Sequence, residues 1–289
     1  MGAPPTVRIA TWNIRAAIGP GEPFAPAWWR HVRRDRFERI AQVIVDLDAD
    51  LVALQEVAVL TPNGEVIDQP LELARLTGRH VRYAAVHAFA LVEPEDGRAI
   101  GSATWGNAVL SRVPLEDGFA IGLPLGGDED LVEPTGSGLP LAGVTFRDAP
   151  YGTREARCAV GGRVPRSGGD LAIVNAHLTY AGTEQRGTQA DELARIAAGS
   201  AGAVVVAGDF NAAIDDPALR SLAGGFDDAF RAVGIEAGDP QRASCGALQI
   251  DHLLSRGLRA IDCRVVTEAG DASDHLPVVA TFEVPAASA

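Results

Sequence analysis

The 289-residue chain carries a formal charge of −13, and 47% of its residues are apolar but only 6% aromatic. That balance describes a globular protein with a sizeable core. It excludes a broadly basic nucleic-acid-binding surface, though not a nuclease whose phosphates meet metal ions and a local basic patch. No stretch nears the roughly 18 consecutive apolar residues that span a bilayer, and Val7 already opens a strand. Neither a transmembrane segment nor a signal peptide is expected, and the cytoplasm is the default location.

Residues 7–13 alternate apolar and mixed side chains and predict a strand, followed by a Gly/Pro-rich loop over 19–26. Phe37, Ile40, Ala41, Ile44 and Val45 fall at helical spacing, with arginines on the other side. Asp48-Ala49-Asp50 turns the chain into residues 51–54, a short apolar run expected of a fully buried strand, and Glu56 follows. Residues 71–76 predict a helix ending near Gly78, and residues 82–92 and 108–110 predict strands around a Gly-containing turn. The stretch 116–150 is acidic and rich in Gly and Pro. It reads as an insertion within one domain spanning 1–289, because both flanks carry parts of a candidate site.

Residues 171–174 and 203–207 are the clearest buried strands, with a helix between them presenting Ala190, Leu193, Ala194 and Ala197 on one face. Asp215-Asp216-Pro217 has the capping carboxylate and first-turn proline of a helix start. Residues 250–254, 260–266 and 278–284 predict closing strands. Strands mixed with helices and no clean linker imply one α/β domain. Cys158, Cys245 and Cys263 lack zinc-type spacing and read as reduced thiols.

Five segments carry the chemistry: Thr11-Trp12-Asn13, Leu54-Gln55-Glu56, Asn175-Ala176-His177, Gly208-Asp209-Phe210-Asn211 and Ser273-Asp274-His275. Each delivers a carboxylate, carboxamide or imidazole at or just after an apolar run. Such groups aimed at one place suit a hard divalent cation and a phosphoryl group. Glu56 is the best metal ligand, since a carboxylate at the end of a doubly buried strand is costly without compensation. Asp209 and Asn211 stand two apart in extended chain and should point the same way, with Gly208 easing a turn; alone, Asp-Phe-Asn would be an Asx turn. His275 would hold a nucleophilic water or stabilise transition-state charge, with Asp251 fixing its tautomer.

The ordered set of these segments, together with Gly106-Asn107-Ala108-Val109-Leu110 and residues 250–254, resembles the endonuclease/exonuclease/phosphatase superfamily of DNase I-like proteins. The resemblance implies a four-layer α/β/β/α sandwich of two mixed β-sheets with outer helices. It implies Mg²⁺ or Mn²⁺ held by Glu56 with Asn13, and with Asp274 as a further metal-side ligand. Asp209 would orient or deprotonate the attacking water, and Asn211 would hydrogen-bond the phosphoryl oxygens. His177 would contact a phosphate oxygen or protonate the leaving group, which leans away from abasic-site endonucleases. Asn107 and Arg157 match elements close to substrate phosphate, although a loop-closing Asn and a carboxylate-paired Arg serve equally well. His31, His80, His87 and His252 have no supporting context.

The expected activity is therefore a divalent-metal-dependent phosphoesterase in which water attacks phosphorus in line. A DNase-like endonuclease would use the patch Arg30, His31, Arg33, Arg34, Arg36 and Arg39 with Trp28 and Trp29, whose plainer reading is a solvated helix face. A phospholipid esterase is disfavoured without an export signal. A small phosphodiester or phosphomonoester suits the acidic chain. A catalytically silent binding module on the same fold is the remaining alternative, and it would ordinarily lack residues such as Glu56, Asp209 or His275.

Overall fold

The computed structural model describes residues 5–23, 27–124, 156–166, 169–180 and 182–284. The alternation at the start becomes β1 (Thr6–Asn13), and the helical periodicity that follows becomes α1 (Arg34–Asp46). α1 buries Phe37, Ile40, Ala41, Val43 and Ile44. Val45, expected on that face, is 47% exposed at its margin, and Val43 packs in its stead. The buried run becomes β2 (Leu51–Leu60), with the short β3 (Ile67–Asp68) alongside. Asp68 caps α2 (Gln69–Thr77) by accepting from the Leu71 amide, and Gly78 ends it at φ 64°, a left-handed conformation that glycine adopts without steric cost.

β4 (His80–Val92) and β5 (Ala99–Ser111) form a long antiparallel hairpin. The stretch expected as an insertion begins as sheet: β6 (Glu116–Leu123) pairs antiparallel with β7 (Arg157–Val164). Residues 125–150 of it lie outside the described residues. β7 escapes a sequence reading because Gly161 and Gly162 interrupt its apolar pattern. β8 (Leu171–His177), α3 (Thr183–Ala198) and β9 (Ala203–Asp209) make a parallel crossover unit. Asp216 caps the 3₁₀ turn that leads into α4 (Arg220–Gly225), followed by β10 (Asp227–Asp228) and α5 (Ala229–Ala232). β11 (Asp251–Arg256), β12 (Arg259–Val265) and β13 (Val278–Glu283) complete the chain.

Two mixed sheets result, one ordered β12-β13-β1-β2-β5-β4 with β3 beside β2, the other β10-β11-β9-β8-β7-β6. Each is built around one parallel pair, β1 with β2 and β8 with β9. Val7, Ile9, Leu51, Ala53, Ile173, Val205, Ala207, Leu253 and Phe282 form the core between the sheets. Trp12, Val52 and Leu54 face outward against α1 and α2, and Val174, Ala176 and Val206 face outward against α3 and α4. This is the expected four-layer α/β/β/α sandwich. No helix among the described residues is long and apolar enough to cross a membrane.

Candidate active site

The alternation that builds the core also builds the site. Along the inner face of β1 come Val7, Ile9, Thr11 and Asn13; along β8, Leu171, Ile173, Asn175 and His177; along β9, Val205, Ala207 and Asp209. The earlier members pack in the inter-sheet core. The same faces then turn polar and finally charged toward one end of the sandwich. Asn13, His177 and Asp209 are thus delivered by three strand ends, and all three are buried.

Glu56 arrives by another route. Leu54 pairs with Ala108 and Val57 with Gly106, so Gln55 and Glu56 together oppose Asn107 in a β-bulge. Glu56 sits at φ 55°, left-handed for a non-glycine residue, and this re-aims its carboxylate. Its Oε1 accepts from Asn13 Nδ2 at 2.9 Å, and the same amide nitrogen lies 3.1 Å from Asp209 Oδ2. Asn13 therefore turns its donors to both carboxylates, while its Oδ1 accepts the Arg15 amide at 3.0 Å.

Burial, aided by the charges of Asp274 and Asp209, pushes the Glu56 carboxyl up to about 7. Burial and the neighbouring Asp251 push Asp209 up to about 6, against the opposing pull of His275 and Asn13. His275 joins this cluster through Nδ1, 2.8 Å from Asp251 Oδ2, while its Nε2 faces Asp209 Oδ2 at 3.7 Å. Burial alone would lower the imidazole; Asp251 and Asp209 outweigh it and hold His275 well above its ordinary range. A hydrogen bond with the Cys245 side chain acts in the same direction. The backbone is fixed by Trp12 Nε1 on the His275 carbonyl (2.9 Å) and by Ser273 Oγ on the Asn13 carbonyl (2.8 Å).

His177 behaves oppositely. Burial, then the charge of Arg157, lowers it well below the usual imidazole range. Asn211 Nδ2 donates to His177 Nε2 at 2.9 Å and to the Leu178 carbonyl at 3.0 Å. With Nε2 accepting, the proton of the neutral ring lies on Nδ1, 3.8 Å from Glu56 Oε1. His177 Nε2 also stands 3.4 Å from Asp209 Oδ2.

The expected extended Asp209–Asn211 geometry is corrected: Asn211 lies at φ 51°, and its amide donates to Asp209 Oδ1 at 3.0 Å. A side-chain-capped turn, not strand alternation, brings Asn211 to His177. Gly208 keeps the conformational reason expected of it, at φ 155°, and a packing reason is added to it. It lies within β9, where an added Cβ would stand 1.8 Å from the Ala176 carbonyl oxygen.

Asn107 is buried and donates to the Cys158 carbonyl at 3.0 Å, tying β5 to β7 behind the bulge. Arg157 is buried at the start of β7, close enough to His177 to lower its pKa. Asp274 lies at the more open edge of the site, its side chain 36% exposed, with Arg15 Nε 3.3 Å from Oδ2. Ligand-capable atoms of Asp209, Asp251 and His275 all lie within 4.8 Å of one another. The Asp251 Oδ1 is buried without a hydrogen-bond partner. The Glu56 carboxylate, raised by burial and by the charges of Asp274 and Asp209, is an under-compensated oxygen donor of the kind that fits a hard divalent cation. Thr11, Gln55 and Asn175, hydrogen-bonded beneath the site, were not singled out from sequence. Their signal is polar residues on an otherwise apolar inner face.

The basic patch resolves mostly into ion pairs and backbone contacts. Arg30 pairs with Glu93 and Glu95, Arg33 with Asp35, and Arg34 with Glu38 and Glu72. Arg36 and Arg39 donate to the carbonyls of Asp271 and Glu268. Trp28 is buried edge-on to Trp105 at 5.0 Å.

The chain matches the model of the Endonuclease/Exonuclease/phosphatase family over residues 10–275 and belongs to that family. No curated protein sequence matches it. An endonuclease/exonuclease/phosphatase structure from Beutenbergia cavernae DSM 12333 is similar at 24% identity and TM-score 0.67, covering 98% of this chain and 72% of that one. The human Nocturnin catalytic domain with bound sulfate is similar at 18% identity and TM-score 0.64, covering 98% and 96%. A mannosyl-6-phosphatase from Bacteroides thetaiotaomicron VPI-5482 is similar at 17% identity and TM-score 0.61, covering 96% and 99%. These likenesses establish the fold, and the family is one of phosphoesterases.

Proposed function

We propose that the protein is a Mg²⁺- or Mn²⁺-dependent hydrolase that cleaves a small phosphodiester or phosphomonoester by in-line attack of water. The observation that carries this reading is the convergence of Asn13, Glu56, His177, Asp209, Asp251 and His275 at one end of the sandwich, with two carboxyls raised and one imidazole held charged. A divalent cation at Glu56, with Asn13 and Asp274 nearby, would neutralise the charge that grows on the phosphoryl and leaving oxygens.

The residues divide the remaining work. Asp209, near 6, is basic enough to orient water and take its proton close to neutral pH. His275, charged between Asp251 and Asp209, presents an N–H to negative charge on the phosphoryl group. Neutral His177 offers its Nδ1–H to another oxygen, and Asn211, whose Nδ2 hydrogens go to His177 Nε2 and the Leu178 carbonyl, holds that tautomer in place. Asn107 and Arg157 support the site from behind, through the Cys158 carbonyl and the charge beside His177.

A small ester is favoured over nucleic acid because the arginines of the proposed groove are paired with carboxylates or backbone carbonyls, on a chain of charge −13. A cytoplasmic location remains part of this proposal. The test is turnover of bis(p-nitrophenyl) phosphate and p-nitrophenyl phosphate with Mg²⁺, Mn²⁺ or EDTA, beside a plasmid-nicking lane. Metal-dependent turnover that falls by about 10²–10⁴-fold in Asp209→Ala supports the reading. Nicking without turnover of either small ester would move the assignment to the nuclease. A chain that binds the metal and turns over none of the three would be the silent module.

A further inference from the structure

Beneath the charged groups lies a buried amide pair that joins the two sheets. Asn175, on the inner face of β8, is fully buried. Both hydrogens of its Nδ2 are used: one goes to the Leu54 carbonyl at 2.9 Å, the other to the Ala108 carbonyl at 2.8 Å. Its Oδ1 accepts from Gln55 Nε2 at 2.8 Å, and Gln55 Nε2 also reaches Thr11 Oγ1 at 3.0 Å. A buried amide bonded in three directions has one orientation and holds its partners to it.

The partners are the important point. Leu54 and Ala108 are the last regularly paired residues before the β2–β5 register shifts, and Gln55 and Glu56 are the two residues of the bulge. The amide on β8 thus grips both strands at the edge of the bulge, through Leu54 and Ala108, and reaches the bulge itself through Gln55. Glu56 holds its left-handed conformation there, and such backbone persists where the surroundings over-determine it. Two residues further along β8 stands His177, 3.8 Å from Glu56 across the sheets.

We propose that Asn175 is a positioning residue. It locks the β2 bulge from the opposite sheet and so fixes where Glu56 presents its carboxylate, and it sets the spacing between Glu56 and His177. The metal-binding consequence rests on the reading of Glu56 as a metal ligand; the clamp itself does not.

The experiment compares wild type, Asn175→Leu and Leu193→Ala, the last being a buried α3 residue far from the bulge and used as a destabilised control. Amide hydrogen exchange of the metal-free proteins is followed over residues 54–58, and Mn²⁺ affinity is measured by the free-ion EPR signal. In Asn175→Leu the bulge amides should exchange about tenfold or more faster while β12 and β13 stay as in wild type. Mn²⁺ affinity should weaken by about 10–100-fold, the range for residues that orient a ligand. Leu193→Ala should show neither effect. Equal exchange over 54–58 in Asn175→Leu and the control overturns the proposal. Where Asn175→Leu does not fold, Gln55→Leu, which severs the amide pair, takes its place, and unchanged exchange in that variant overturns it equally. A wild-type protein that takes up no Mn²⁺ contradicts the metal reading, and exchange still decides the clamp.

Discussion

Asp209 and Asp251 stand directly opposite each other in the antiparallel β9–β11 ladder. A buried carboxylate so close disfavours charge on its neighbour, and Asp251 accordingly adds to burial in raising Asp209. His275 lies between them, Nδ1 on Asp251 and Nε2 toward Asp209. The strand register, set by apolar residues deeper in the sheet, thereby decides the charge state of the imidazole.

Replacing Asp251 with Asn should lower the His275 pKa, because the carboxylate that most strongly raises it is gone. Turnover should fall by about 10²–10⁴-fold, the range for loss of an acid–base partner. The alkaline limb of the pH–rate profile should move to lower pH, since His275 then loses its proton earlier. Imidazole NMR titration of metal-free protein reads the first effect directly. An unchanged His275 titration would sink this assignment.

The raised Glu56 carboxyl makes a signed prediction about stability. Its folded pKa of about 7 exceeds the ordinary 4.5, so the folded metal-free protein holds the proton more tightly than the unfolded chain does. The stabilisation is fully present below about pH 4.5 and is lost as pH rises through 7, a change on the order of 3 kcal/mol. Glu56→Gln removes the titration. Denaturation in EDTA should show the variant gaining on wild type between pH 4.5 and 8. A difference independent of pH would contradict it.

As the proposed metal ligand, the same carboxyl must lose its proton before it can bind a cation. Mn²⁺ affinity should therefore rise with pH below about 7, by about tenfold per unit if one proton is displaced, and level off above. Glu56→Ala should weaken binding strongly and flatten this dependence. Calorimetry in buffers of different ionisation enthalpy counts the proton released. EDTA should abolish turnover, with recovery on adding Mg²⁺ or Mn²⁺.

Much of this was legible in the sequence, for a physical reason. Asn13, His177 and Asp209 each end an apolar stretch that reads as a strand, so their place at strand ends was visible, while for the uniformly apolar β8 and β9 the face was settled only by the packing of the two sheets. The pairing of Asp251 with His275 also followed. Asn211 did not follow, because its direction depends on a left-handed turn after β9 and not on strand geometry. Nor did the route by which Glu56 reaches the site, since a bulge is a property of two paired strands and Leu54-Gln55-Glu56 contains only one. The role of Asn175 was hidden likewise, its partners lying more than 60 residues away. β7 was concealed by its glycines, and of the arginine patch's partners only Asp35 and Glu38 lie within reach in the sequence, Glu72, Glu93 and Glu95 coming from other elements.

A last prediction concerns the wall behind His275. Arg242 Nη2 lies 2.7 Å from Asp228 Oδ2, the side chains being 1% and 4% exposed. The guanidinium also covers the Phe230 ring at 4.9 Å and reaches the Ile235 carbonyl at 3.3 Å. Two residues after Arg242, the Ser244 carbonyl accepts the Leu276 amide at 2.7 Å, next to His275. Removing one member of a buried ion pair strands the other, so Asp228→Ala should cost about 3–5 kcal/mol, including the amide cap it gives Phe230. Arg242→Met combined with Asp228→Leu leaves no buried charge and should recover more than half of that loss. Urea unfolding of both variants beside wild type makes the comparison. A double variant no more stable than Asp228→Ala would show that the cap and the contact with Ile235, and not stranded charge, hold this wall in place.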